Sequence, residues 1–282
     1  MPKVIVQIYP SLGGHDAMRA RRPIGRDPEA FHTVMHGLRE IAVAMDELGY
    51  WGLSHVEHHF HSEGMEMSPD PGLWNLYLGQ ATRRLMHGQL GYVLPSRDPL
   101  RLAEKIAMID HMLEGRLFVG IARGYQSRWV NVLGQRLGVA AGDRSNEAAE
   151  ERSKALYYEH YRLMKMAWES DLLQYKSRHY EVPFPYEEGI PNWPPADTLT
   201  REFGAPGEVD EHGSIQGVSV VPAPYQDPHP PIFQPFSVSP ATVQWAGSQG
   251  LIPITMFAPT MLAKWYADLY RAEAAKAGFN FA

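Results

Sequence analysis

Residues 49–61 read Gly49-Tyr50-Trp51-Gly52-Leu53-Ser54-His55-Val56-Glu57-His58-His59-Phe60-His61. The stretch begins as an apolar run of strand length and ends in four histidines and one glutamate within seven residues. Titratable side chains at the end of a buried strand are costly unless they have partners or a function. In a barrel of parallel strands, the carboxyl ends of the strands carry the active site. The stretch therefore predicts a strand that leads into a functional site.

The segments on either side alternate between strand and helix patterns. Besides the strand at the start of residues 49–61, strands are predicted over residues 3–9, 89–94, 116–122, 231–238 and 251–257. Helices are predicted over residues 28–48, 73–85, 144–169, 239–249 and 260–277, and from Pro99, after the N-cap Asp98, to just before Gly115. This alternation implies right-handed crossovers and a parallel sheet, which is the α/β class. Six strand–helix units are two fewer than an eight-unit barrel needs, so we expect a barrel incomplete at its C-terminus, or a fragment.

A proline-rich excursion interrupts the alternation at about residues 171–230. Residues 183–235 hold 12 of the 23 prolines and show little periodicity apart from a possible short strand at residues 217–221. Long irregular segments inside compact domains are usually lids or other functional excursions. A stiff structural wrap has the same composition, so both interpretations stay open. With this excursion included, residues 1–282 are expected to form a single barrel domain.

Composition excludes several classes of function. The chain has 282 residues, a net charge of −6 and a pI near 6.1, which disfavours a nucleic-acid partner because such partners require a basic face. It contains no cysteine, and therefore no disulfide framework, thiolate metal site or cysteine nucleophile. The N-terminus lacks the form of a signal peptide, and no apolar run reaches membrane-spanning length. We therefore expect a cytoplasmic protein that contacts neither membrane nor nucleic acid.

The histidine-rich run admits two chemical interpretations. A metal site is disfavoured because neighbouring residues of an extended strand point to opposite faces, and no helical HExxH spacing is present. Some of these histidines are expected to be structural. One histidine at the end of the strand is a plausible general base, because its reference pKa of about 6.5 suits proton transfer near neutral pH. No metal is expected.

Two later sites could bind an anion. Arg123 follows a predicted strand and is flanked by Gly120 and Gly124, so it could pair with a phosphate or simply be a solvated turn residue. Ser239 precedes Pro240 at the start of a predicted helix. The pair is explained as an N-cap and N1 residue, yet the same geometry offers backbone N–H groups and hydroxyls to a phosphate.

These sites, in this order, resemble the bacterial luciferase-like flavin monooxygenase family. The resemblance covers most of residues 1–258 apart from the excursion, and its section from Glu57 to Gly124 is specific. The matching residues are Glu57-His58-His59-Phe60, Val93-Leu94-Pro95, Asp98-Pro99-Leu100-Arg101-Leu102-Ala103-Glu104, Asp110-His111-Met112-Leu113-Glu114-Gly115-Arg116-Leu117, Gly120-Ile121-Ala122-Arg123-Gly124, and Ser239 with Trp245-Ala246.

The resemblance implies a TIM-type (β/α)8 barrel that uses O2 and reduced FMN supplied by a separate flavin reductase. A peroxyflavin would then oxygenate a small, apolar organic substrate. By the same resemblance, His58 is the catalytic base or proton shuttle and Arg123 is a phosphate ligand, beside Tyr125 in the cofactor site. Ser239 and Thr242 form the phosphate-binding turn. Leu90-Gly91 falls where the family often has a non-proline cis peptide beneath the isoalloxazine.

Other outcomes remain open within this resemblance. Related barrels use a deazaflavin coenzyme for hydride transfer, so a deazaflavin-dependent oxidoreductase is one alternative. A non-catalytic flavin-binding partial barrel is another. Ala122 stands where luciferases proper often carry a reactive cysteine, so light emission is not expected. A homodimer or larger homo-oligomer is expected.

Overall fold

The computed structural model describes residues 3–141, 146–255 and 259–280. In chain order, the strands within these residues are β1 (Ile5–Gln7), β2 (Gly52–His55), β3 (Met86–Val93), β4 (Leu117–Ala122), β5 (Tyr175–Lys176), β6 (Glu181–Val182), β7 (Ile232–Gln234) and β8 (Ile252–Pro253). The α-helices are α1 (His15–Ala20), α2 (Pro28–Glu47), α3 (Pro71–Gly79), α4 (Pro99–Met112), α5 (Ser127–Leu133), α6 (Glu147–Glu169), α7 (Arg201–Phe203), α8 (Pro240–Gln249) and α9 (Thr260–Lys276).

One curved sheet organises the described residues. Its strand order is β1-β2-β3-β4-β7-β8, and every neighbouring pair is parallel. The register places Gly52 between Ile5 and Met86 on the adjoining strands. A helix follows each of these six strands, so the described residues confirm the predicted α/β fold with six strand–helix units. None of the described helices combines the length and the apolar character needed to cross a membrane.

Four helices start from the same two-residue signal. The N-caps Asp27, Asp70, Asp98 and Ser239 each precede a proline at the first helical position, and each side chain accepts a backbone N–H of the first turn. An oxygen at the N-cap accepts an N–H that has no partner within the helix. Proline costs no hydrogen bond at the first helical position, because the N–H that it lacks would have no partner in the helix. The signal sets the amino ends of α2, α3, α4 and α8, and all of these except the start of α3 lie at the predicted residue.

The two faces of the sheet are packed differently. Leu53 points toward α2 and α3 and packs in a cluster with Leu38 and Trp74. On the opposite, concave face, the ring of Phe118 lies over Gly52 and Gly88. A Cβ at position 88 would lie 2.3 Å from that ring, so only glycine fits. Side chains alternate between the two faces along each strand, so both faces of the sheet are filled. The carboxyl ends of the strands remain as the place where a site can form.

The predicted helix over residues 73–85 is wrong at both ends, because the observed helix is Pro71–Gly79. The carboxylate of Asp46 on α2 accepts the N–H groups of Arg83, Arg84 and Leu85 at 3.0, 2.8 and 2.6 Å. These bonds between distant residues replace the helical ones, so the chain turns early and β3 starts at Met86 rather than at residue 89.

Other boundaries also differ from prediction. The predicted strand at 217–221 is wrong, since only Val218 forms an isolated bridge with Leu173. β7 is limited to Ile232–Gln234, and the helices α1 and α5 were not predicted. The predicted helix at 144–169 is observed as Glu147–Glu169, with residues 144 and 145 outside the described part. The predicted strand at 251–257 is observed as Ile252–Pro253, and its residues 256 and 257 also lie outside.

The proline-rich excursion packs against the helices α4 and α6, where Tyr180 OH donates to the cap residue Asp98 and Tyr175 OH donates to Glu159. Its β5 and β6 pair as an antiparallel hairpin. Gln226 anchors its end, because its backbone N–H and side-chain amide donate to the buried carboxylate of Asp110 at 2.8 and 2.7 Å, and the amide also reaches Leu117 O. Leu117 begins β4, so this anchor lies at the amino end of the strand, away from the expected site. These contacts favour the interpretation of the excursion as a structural wrap over its interpretation as a lid.

Candidate active site

A concave site lies at the carboxyl ends of β2, β3, β4 and β7. It is a cavity of about 910 Å³, a size suited to a cofactor with a substrate. No residue of 171–230 is among the described residues that line it. All seven residues predicted from the sequence line this one cavity: His58, Leu90, Gly91, Arg123, Tyr125, Ser239 and Thr242.

His58 is held in one orientation by a carboxylate. Its Nδ1–H donates to Glu66 Oε2 at 2.6 Å, and its backbone N–H donates to Ser68 O at 3.0 Å. With the Nδ1 proton donated to Glu66, Nε2 is the acceptor nitrogen of the ring, and the Gln126 amide nitrogen lies 3.4 Å from it. Burial lowers the pKa of His58 below its ordinary value, and the Glu66 carboxylate opposes part of that shift. The arrangement favours a neutral imidazole with a basic Nε2 at neutral pH.

Gln126, which sequence reasoning missed, connects the residues around His58. Trp129 Nε1–H can only donate, and it lies 3.0 Å from Gln126 Oε1, which fixes that atom as the acceptor. His61 Nε2 lies 2.9 Å from the same oxygen and must therefore carry its proton. The Gln126 amide nitrogen lies 3.4 Å from each ring nitrogen of His58. The amide thus ties the start of α5 to the histidine-rich run.

Glu57 is a structural member of the histidine-rich run. It is 2% exposed, and its carboxylate accepts the Val93 N–H at 2.9 Å. Arg97 Nε lies 3.0 Å from both oxygens, and His59 Nε2 lies 3.1 Å from one of them. A buried carboxylate with this many donors is committed to holding β2 against the end of β3. Some of the histidines were expected to be structural, and the contact of His59 with the buried Glu57 agrees with that expectation.

Metal binding at this site would require rearrangement. His58, His61 and Glu66 offer ligand atoms that lie within 4.8 Å of one another. The two imidazole planes are 11° from parallel, with centroids 5.7 Å apart. Glu66 is also already bonded to His58, and His61 to Gln126. The geometry gives no reason to abandon the expectation that the site holds no metal.

The floor of the cavity is a close approach of β3 and β4. The Leu90–Gly91 peptide is cis, as the resemblance predicted. A Cβ at Gly91 would lie 2.4 Å from the carbonyl carbon of Gly120, and a Cβ at Gly120 would lie 2.1 Å from Gln89 O. Neither position can carry a side chain without moving the neighbouring strand, and the register between β3 and β4 shifts between Gln89 and Tyr92. Leu90, Gly91 and Ile121 line the cavity here.

The other side of the cavity carries the anion-binding features. Ser239 Oγ accepts the Thr242 N–H at 3.2 Å and lies 2.7 Å from Thr242 Oγ1, so two hydroxyls and the amino end of α8 face the same region. Arg123 follows β4, and its Nη1 lies 2.5 Å from Glu150 Oε1 on α6. A helix start with hydroxyls and an arginine is a set of donors suited to phosphate.

Gln234 is a second residue that sequence reasoning missed. It ends β7, lines the cavity and is 6% exposed. Its Nε2 donates to Tyr157 OH at 3.3 Å, but its Oε1 has no partner among the described residues. A buried acceptor of this kind needs an N–H or O–H donor, which a water or a ligand in the cavity would supply. The signal in the sequence was a polar residue closing the apolar run Ile232-Phe233.

Fold and cavity together define an α/β barrel protein with a ligand site at the carboxyl ends of its strands. A family profile described as luciferase-like monooxygenase matches residues 18–200. The chain therefore belongs to the luciferase-like monooxygenase family. An uncharacterised protein, y4wF, of Sinorhizobium fredii is 26% identical over 233 residues, which are 83% of this chain and 54% of that protein. The 3,6-diketocamphane 1,6-monooxygenase of Pseudomonas putida is 24% identical over 241 residues, covering 84% and 57%.

Solved structures share the fold. Monooxygenase RslO1 from Streptomyces bottropensis superposes with a TM-score of 0.70 and 21% identity, over 100% of this chain and 68% of that one. The oxygenating constituent of 3,6-diketocamphane monooxygenase from Pseudomonas putida, in complex with FMN, gives 0.68 and 19%, over 99% and 64%. An F420-dependent secondary alcohol dehydrogenase gives 0.59 and 16%, over 87% and 62%. The chain spans about half the length of the relatives it matches, 54% and 57% in the two cases above.

Proposed function

We propose that this chain is a flavin-dependent monooxygenase that uses reduced FMN and O2 to oxygenate a small, apolar organic substrate. The observation that carries the proposal is the shared cavity. Proton-transfer chemistry at His58 and phosphate-binding chemistry at Arg123, Ser239 and Thr242 come from three separate parts of the chain and line one space. Membership of the luciferase-like monooxygenase family supports the same assignment.

The residues present fit FMN in three respects. Arg123 and the hydroxyls at the start of α8 suit its phosphate. The unpaired Oε1 of Gln234 suits an N–H on the edge of the ring system. Leu90 and the backbone of Gly91 line the cavity, where they suit the face of a ring. Bound reduced flavin would supply the oxygen activation that no side chain can supply.

His58 is the proposed proton carrier. Its Nε2 can accept a proton because Nδ1 keeps its own proton in the bond to Glu66. Glu66 would then stabilise the imidazolium that forms, in the way a carboxylate orients and stabilises a catalytic histidine. Tyr125 lies at the mouth of the cavity, 67% exposed, with its ring edge against His58. It is proposed to contact the cofactor or the substrate.

Two partners follow from the proposal. A separate flavin reductase would deliver reduced FMN, and the acceptor of oxygen would be a small organic molecule. Assembly as a homodimer or larger homo-oligomer is also proposed.

The test is an anaerobic titration with reduced FMN, followed by admission of O2 and an apolar ketone or aldehyde panel. We expect saturable binding and substrate-dependent O2 consumption. Absence of binding to reduced FMN would refute the proposal. A preference for a deazaflavin coenzyme would replace it with a hydride-transferring oxidoreductase. His58→Ala separates an enzyme from a non-catalytic binder, since only an enzyme loses turnover while it keeps flavin binding.

A further inference from the structure

Arg123 pairs with a carboxylate in the acidic first turn of α6. Three carboxylates near the start of α6, at Glu147, Glu150 and Glu151, line the cavity. Of these, Glu150 is the one whose oxygen meets the guanidinium, at 2.5 Å. The residue best suited to a phosphate is therefore already paired with a carboxylate of the same chain.

We propose that Glu150 is an internal competitor for the flavin phosphate. It holds the Arg123 guanidinium when the phosphate site is empty and releases it when the phosphate binds. The inference rests on the proposed function, because it needs a phosphorylated flavin as the ligand. Glu150 is then a residue that sets the affinity for FMN without contacting it.

Exposure of the pair makes this exchange feasible. The Arg123 side chain is 45% exposed and the Glu150 side chain 37% exposed. Solvent screens such a pair, so the preference it contributes is small, on the order of two- to fivefold. A phosphate has more charge and more acceptor oxygens than a carboxylate, and it can engage the guanidinium in two parallel bonds. The phosphate therefore displaces Glu150 without first breaking a strong contact.

A consequence follows for the exchange of flavin. After release, the Glu150 carboxylate stays on α6 beside the cavity, where it repels the bound phosphate. The chain consequently holds FMN less tightly than the same site with a neutral residue at position 150. Weak holding suits a protein that takes reduced flavin from another protein and returns it oxidised.

The experiment compares FMN with riboflavin, which lacks the phosphate. Dissociation constants are measured by quenching of flavin fluorescence for the wild type, Glu150→Gln and Glu151→Gln. Glu151→Gln removes the same charge at the next position and leaves the ion pair in place. We expect Glu150→Gln to tighten FMN binding by roughly two- to fivefold and to leave riboflavin unchanged. Glu151→Gln should change FMN binding less.

Three results would overturn the inference: unchanged FMN affinity in Glu150→Gln, an equal gain for riboflavin, or an equal gain in Glu151→Gln. The last would assign the effect to net charge rather than to the contact with Arg123.

A readout without flavin separates this inference from the proposed function. Inorganic phosphate should raise the melting temperature of the wild type, with half of the effect reached at a lower phosphate concentration in Glu150→Gln. If the wild type binds neither flavin, the proposed function fails, and a phosphate gain in Glu150→Gln still establishes the competition. If the wild type binds FMN and both readouts are unchanged in Glu150→Gln, the inference fails and the proposed function stands.

Discussion

His58 Nδ1 lies 2.6 Å from Glu66 Oε2, at the end of a loop that leaves β2 and returns to the cavity. The contact joins two residues eight positions apart, and the Glu66 backbone N–H is held in turn by Ser11 Oγ at 3.1 Å. The loop therefore presents an imidazole whose orientation and tautomer are both set by its neighbour. Burial lowers the pKa of His58, and the nearby carboxylate opposes that shift, so the two influences leave a base that can still be protonated.

Replacing Glu66 by Gln should weaken His58 as a proton carrier. The pKa of His58 moves further below its ordinary value, because burial remains and the carboxylate that opposed it is gone. Turnover falls by about 10- to 100-fold, part of the contribution that a positioned acid–base group makes. The check is an NMR titration of the His58 ring proton beside a pH–rate profile. Glu63→Gln, in the same loop, is the control and should leave the His58 titration in place. An unchanged titration in Glu66→Gln would contradict this role.

Local signals in the sequence were sufficient for much of the fold. Asp98-Pro99 and Ser239-Pro240 predicted the starts of α4 and α8, because a cap and a proline act within a few residues of themselves. The end of α3 could not be predicted in this way. It depends on Asp46, which lies 37 to 39 positions from the N–H groups it accepts.

The residues of the candidate site also fall into those that local sequence predicts and those that it does not. His58, Arg123 and Ser239 were predicted because each follows a strand or opens a helix, and the ends of parallel strands meet at one edge. Glu66, Gln126 and Glu150 were not predicted, because nothing in their local sequence distinguishes them. Their importance comes from distances that only the folded chain defines, such as the 2.5 Å between Arg123 and Glu150.

Ser239→Asp tests the anion site without disturbing the helix cap. Of the four described helices that start with a cap and a proline, α8 alone has an uncharged cap, whereas Asp27, Asp70 and Asp98 serve the others. Aspartate caps as well as serine, so thermal stability should be unchanged. A negative charge close to the phosphate should weaken FMN binding by about tenfold or more and spare riboflavin. Both affinities are measured by fluorescence titration. Equal losses for the two flavins would place the phosphate elsewhere.

Acid should destabilise the protein below neutral pH because of two buried histidines. Burial lowers the pKa of His55 to about 4 and that of His87 to about 3. Both are neutral in the folded chain, whereas the unfolded chain binds protons below about pH 6.5. Their stabilisation is therefore complete above that pH and is lost as the pH falls toward 4. Each histidine contributes a slope of roughly 1.4 kcal/mol per pH unit.

Urea unfolding at pH 5.0 to 7.5 measures this loss. Between pH 5 and 6.5, His87→Gln should lower the slope of the unfolding free energy against pH by the amount that one histidine contributes. A wild-type stability that is flat over this range would show that these histidines are not buried as neutral groups.

Gly88→Ala and Gly37→Ala should change stability in opposite directions. A Cβ at position 88 would lie 2.3 Å from the Phe118 ring and 2.5 Å from its carbonyl oxygen, so β3 or β4 must shift. Overpacking of this kind costs about 1–3 kcal/mol. At position 37, in the middle of α2, a Cβ meets no described atom within 4 Å. Alanine there removes the helix penalty of glycine and gains about 0.5–1 kcal/mol. Urea midpoints measure both, and a neutral Gly88→Ala would mean that the concave face is less tightly packed than the contact of Phe118 with Gly52 and Gly88 indicates.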